Sequence, residues 1–160
     1  MSTFSMVGNL KLLPAWKDGT ITDSTRITVS ANVADGTGDG QADVYWRDVL
    51  TIASEAEAFV DLTDLSMAFY GATGSVSLAL VKQLLIVNKT ATSTLYLWYG
   101  TTNQWSALAS GESVIGPMGS WWVNNPNAGY AVTESSKVIP IGNDGPTDAT
   151  VEVYVVGVRA

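Results

Sequence analysis

The sequence predicts an all-β protein, an antiparallel β-sandwich of jelly-roll-like form with a short N-terminal arm. Three observations predict it. Short runs of β-branched and aromatic residues recur along the chain, broken by Gly, Asn, Asp, Ser and Pro. No window holds an apolar helical period through several turns. The C-terminal segment alternates strictly, with Val151, Val153 and Val155 on one face and Thr150, Glu152 and Tyr154 on the other. At 160 residues the chain has the length of one domain, which buries roughly 70% of the surface its unfolded form exposes.

Residues 1–24 form the expected arm. They are less strand-like than the rest, yet Leu10, Leu12, Leu13 and Trp16 are too apolar for a free tail, so the arm packs on its own domain or on a neighbour. The sandwich domain spans 25–160. Its expected strands cover 25–33, 44–52, 58–62, 76–80, 83–88, 94–99, 120–123, 130–133, 137–141 and 149–158. The run Leu84-Leu85-Ile86-Val87 is apolar on both faces, as suits a central strand covered on each side by a second sheet and a loop, or by a neighbouring subunit. Residues 52–58 favour helix but are too few to stand as one, so a single turn is expected. The Gly-rich stretch 35–43 and the segment 142–146 read as connections whose residues tolerate positive φ.

Composition excludes several functions. The chain is 46% hydrophobic and only 14% charged, against about 25% charged in an average domain. Together with six Trp and six Tyr, this implies either surface covered by partners or a large aromatic core. The net charge of −7 and the absence of any basic cluster argue against nucleic acid as a partner. No stretch approaches the ~20 apolar residues that span a bilayer, and the start of the chain lacks the pattern of a signal peptide, so no membrane partner or secretion is expected. With no His and no Cys, Ser-His-Asp and Cys-His nucleophiles and conventional zinc sites are absent. No phosphate loop or dinucleotide fingerprint occurs. No cofactor is expected, and the chain reads as non-enzymatic. Asn88-Lys89-Thr90 matches a glycosylation sequon, a signal too short to weigh.

Four side-chain groups remain as candidates. Paired carboxylates serve glycoside hydrolysis, and Glu55, Glu57, Asp61 and Asp64 lie near one another in sequence, although acids on a small protein are mostly a solvated face. Asp35, Asp39 and Asp43 recur every four residues in a Gly-rich loop, a weak pattern for a hard cation that matches no EF-hand. Trp121 and Trp122 are adjacent on a strand, so they point to opposite faces, and one of them leaves the core to meet solvent, a sugar or a partner. Leu12, Trp16, Trp121, Trp122 and Tyr130 are the expected partner contacts.

The stretch 82–160 carries "KQLLIVNKTATSTLYLWYG", then "SGESVIGPMGSWWVNNPNAGYAVTESSKVIPIGNDG", then "TDATVEVYVVGVRA". It resembles the small β-sandwich virion proteins of tailed bacteriophages: an apolar strand ending in Asn, a hairpin, a Gly-rich turn, and a Val-rich terminal strand. The resemblance implies a capsid decoration or cement protein, made in the host cytoplasm and held on the capsid exterior. Its partners would be the major capsid protein and itself, as a homotrimer. A tail or baseplate module, or a carbohydrate-binding sandwich, uses the same kind of scaffold.

Overall fold

The computed structural model describes residues 6–12, 15–18, 21–24, 27–69, 72–97, 101–108 and 113–160, with side chains over 33–67, 74–97, 101–108 and 113–160. The described residues contain strands, turns and bends and no helix.

The chain enters through β1 (Met6–Leu12), which pairs along its whole length with β4 (Ile27–Asp35); β2 (Ala15–Asp18) and β3 (Ile21–Ser24) form a second antiparallel pair between them. Residues 6–12 of the expected arm and residues 27–33 of the first expected strand thus share one ribbon. A short β5 (Gln41–Ala42) runs parallel to the end of β4.

Two four-stranded ladders follow. β6 (Val44–Ile52), β10 (Leu78–Asn88), β13 (Ser120–Asn124) and β16 (Ala149–Arg159) form the larger sheet in the order β13-β10-β16-β6, with β14 (Tyr130–Ala131) also on β10. β7 (Glu57–Asp61), β11 (Leu95–Leu97), β12 (Ser113–Ile115) and β15 (Val138–Asn143) form the smaller sheet in the order β12-β11-β15-β7. β8 (Leu65–Phe69) and β9 (Ala72–Val76) make a separate hairpin.

Among the eight strands of the two ladders, the first in sequence pairs with the last (β6 with β16), the second with the seventh (β7 with β15), the third with the sixth (β10 with β13), and the fourth with the fifth (β11 with β12). All of these pairs are antiparallel. Such nested pairing is one long hairpin ribbon rolled into two sheets, which is the jelly roll.

The core lies between the sheets, and the pleat decides which residues enter it. Leu84 and Ile86 of β10, Val151, Val153 and Val155 of β16, and Leu95, Leu97, Ile115, Ile139 and Ile141 from the smaller sheet are buried together. The outer side of the larger sheet is partly covered: Val33 and Ala42 pack on Val156. The β10–β16 register shifts between Leu78 and Leu80 and between Val81 and Gln83, so Ala79 and Lys82 are bulged residues. The second bulge explains why the sequence reads as two strands where one continuous strand exists. The expected turn at 52–58 is not helical: Ala56 N–H donates to Ala53 O, and Glu55 has φ 57°.

Candidate functional surface

The loops after β6, β10, β12 and β15 gather at one end of the sandwich, and two buried amides pin them. Asn88 is fully buried. Its Nδ2 donates to Ser93 O at 2.7 Å and Gly116 O at 3.1 Å, while its Oδ1 accepts from Thr90 N at 3.0 Å. Asn143 does the same for the neighbouring turns. Its Nδ2 reaches Ile52 O, Ala53 O and Thr147 O at 2.9–3.0 Å, and its Oδ1 accepts from Gly145 N. Neither role follows from local pattern; the only signal was an Asn closing an otherwise apolar strand. Asn88 is spent on these bonds, which removes the sequon as an accessible site.

This rigid end carries Met118 at its apex. Residues 116–119 close a turn through Gly119 N–H to Gly116 O at 3.0 Å, and Met118 N–H donates to Thr90 O at 3.1 Å. Met118 sits at φ 57°, where Gly or Asn is the unstrained choice, and the residue is 63% exposed. Phe59, at 56%, and Val114, at 57%, stand out from the two edge strands of the smaller sheet.

Across the outer face of the larger sheet, the register sets Trp122, Leu85, Tyr154 and Arg47 in one row. The Arg47 guanidinium lies over the Tyr154 ring, 5.3 Å from its centroid, and reaches Glu152 at 3.0 Å. The Tyr154 hydroxyl donates to the same carboxylate at 2.8 Å. That bond, with help from Arg47, holds Glu152 below its ordinary pKa, and the Tyr154 hydroxyl is raised by the bond it donates to Glu152 and by partial burial.

Trp121, opposite Ile86, packs on the core, whereas Trp122, opposite Leu85, takes the outer face. Tyr130 packs edge-on to the buried Trp105, with centroids 5.7 Å apart and planes at 81°. Trp105, missed in the sequence because it stands alone in a polar stretch, donates from Nε1 to Ala131 O. Leu12 lies on β1 opposite Ile27 and Trp16 on β2 opposite Asp23; their side chains fall outside the described ones.

Of the carboxylate candidates, Asp61 is the one drawn into a network. Partial burial works against its charged form, but hydrogen bonds from the Thr63 hydroxyl and amide and the Lys137 ammonium at 3.5 Å hold its pKa below the ordinary value. A general acid for glycoside hydrolysis needs the opposite shift. Glu55 and Asp64 are exposed on turns and Glu57 is exposed at the start of β7. In the 35–43 loop, Asp43 Oδ1 accepts the Arg159 N–H at 2.9 Å, and no three His, Cys, Asp or Glu side chains converge among the described residues. Carbonyls of this region point at a lysine instead: the buried Lys82 ammonium takes Gly38 O and Asn127 O.

Compared with protein-family models, curated proteins and solved structures, the chain matches none.

Proposed function

We propose that this chain is a non-enzymatic structural protein of a tailed-bacteriophage virion, a capsid decoration or cement protein that seats on the assembled major capsid lattice as a homotrimer. The observation that carries the reading is the set of large apolar side chains, Phe59, Val114 and Met118, each more than half exposed on a sandwich whose loops are pinned by buried amides. Contacts presented on a rigid frame lose little entropy on docking. The sequence resemblance supplies the class of partner, and viral capsid domains are among the users of the jelly roll.

The test is co-sedimentation of the purified protein with assembled, DNA-free heads, against unassembled capsid protein. Saturable binding to heads alone and a trimeric mass in light scattering support the reading. Met118→Ser then weakens binding roughly tenfold, the effect of withdrawing one buried Met side chain, with the thermal midpoint unchanged. A monomer that ignores assembled heads overturns it.

A second reading, carbohydrate binding, has its own observation. Trp122 and Tyr154 lie two strands apart, about 9.6 Å, on a face that also offers Arg47 and Glu152 as hydrogen-bonding groups. Glycan binding that Trp122→Ala abolishes without unfolding favours this reading over the first.

A further inference from the structure

The inward-facing positions of β6 are Val44, Trp46, Asp48, Leu50 and Ile52. Val44, Trp46 and Ile52 are buried, and Leu50 packs on the core. Asp48 alone breaks the apolar set. It stands opposite the fully buried Val153 and is itself exposed. Its Oδ1 accepts the Val49 N–H at 2.8 Å, so the carboxylate engages a backbone amide of its own strand.

β6 is also an edge. Among the described residues it pairs with β16 only, and Tyr45, Arg47, Val49 and Thr51 on its outer side are all exposed. A strand of nine residues with one side unpaired among the described residues and an apolar inner face, where Trp46 Nε1 donates to Ser66 O at 2.8 Å, is a template for pairing with another chain. Asp48 is the fifth of the nine, the midpoint. If two copies met antiparallel along β6 with full overlap, Val44 would face Ile52, Trp46 would face Leu50, and Asp48 would face Asp48 across the twofold axis. Directly opposed residues hold their Cβ atoms about 5 Å apart, where like charges repel. Sliding by two residues keeps the faces in phase but sets the carboxylate against Trp46 or Leu50, which strips its water without a partner.

We propose that β6 is a suppressed self-pairing edge and that Asp48 is the residue that suppresses it, excluding a second copy of this chain in every in-phase register. This inference stands apart from the virion reading, since it concerns pairing along β6 alone and its readout is the change in mass relative to the unaltered chain, whatever the oligomeric state of that chain.

The experiment compares Asp48→Asn, Asp48→Val, Asp48→Lys and Asp48→Cys with the unaltered chain by light scattering and by oxidative cross-linking. Asn and Val at 48 are expected to raise the mass about twofold over the unaltered chain. The Lys variant alone keeps the parental mass, because two ammonium groups then meet, but mixed in equal amounts with the unaltered chain it forms a one-to-one pair. The parent has no cysteine, so Asp48→Cys carries a sole thiol. It is expected to cross-link to itself roughly tenfold faster than Thr51→Cys, whose counterpart across the axis is Tyr45. An unchanged mass for both Asn and Val variants overturns the proposal, as does cross-linking no faster at 48 than at 51.

Discussion

Replacing Asn143 by Ala tests whether the loop end of the sandwich is held as the hydrogen bonds imply. The Asn143 side chain donates to Ile52 O and Ala53 O at 3.0 Å and Thr147 O at 2.9 Å, and accepts from Gly145 N at 3.0 Å. An amide nitrogen has two protons for these three carbonyls, so one proton is shared and the set contains about three full bonds. Each contributes about 1 kcal/mol net, and the truncation also strands backbone groups in a site that is 2% exposed, where an unpaired group costs about 1–3 kcal/mol. The expected loss is about 4 kcal/mol, which at this chain length lowers the thermal midpoint by roughly 8–16 °C. Urea unfolding measures the loss directly. Hydrogen exchange at the Gly145 amide, now without its acceptor, should rise well before global unfolding. A loss below about 1 kcal/mol with protection at Gly145 retained would refute the reasoning, because the buried amide would then be replaceable by water.

Further outcomes follow from single positions. Gly157→Ala drives a methyl group into the Leu80 carbonyl oxygen, a backbone atom beside a bulge, and should cost about 2 kcal/mol by the denaturation midpoint. Glu55→Gly relieves a left-handed φ that costs a side chain about 1–2 kcal/mol, against about 0.5–1 kcal/mol of added chain entropy, so a small stabilisation near 0.5 kcal/mol is expected in the same assay. Asp61 has a depressed folded-state pKa, so its contribution is present above the ordinary carboxylate pKa and is lost as pH falls through the folded value. Asp61→Asn should therefore lower stability at neutral pH and flatten the acid limb of the stability curve; an acid limb of unchanged slope would count against the network.

Much of the fold was legible because alternation is local. The strand Val44–Ile52 coincides with its sequence expectation, since aromatic and β-branched residues dominate both ends of the run and only Arg47 and Asp48 at its middle are charged. The sequence divides one strand into 76–80 and 83–88, because the bulge at Lys82 shifts the alternation there. In the structure the Lys82 stem is buried at a bulge and its ammonium finds two carbonyls. Leu65–Phe69 and residues 72–75 carry no strand signal in the sequence because Ala, Gly and Ser have little strand preference, and Val76, expected to open the strand 76–80, instead ends Ala72–Val76; the burial of Leu65 and Val76 compensates through tertiary packing. At the surface, adjacency in the chain separated Trp121 from Trp122, yet gave no hint that Trp122 shares a row with Tyr154 and Arg47.

By itself the sequence determined the class of secondary structure, the inward and outward faces of the strongest strands, and the absence of His- and Cys-based chemistry. All of these depend on residue identity or on spacing within a few positions. Only the tertiary structure decided that the strands nest as one rolled hairpin, that Asn88 and Asn143 fasten the loop end, and that Asp48 stands at the middle of an edge strand opposite the buried Val153. The reason is range: Arg47 meets Glu152 across 105 residues of chain, and no local propensity encodes which distant strand will supply the partner.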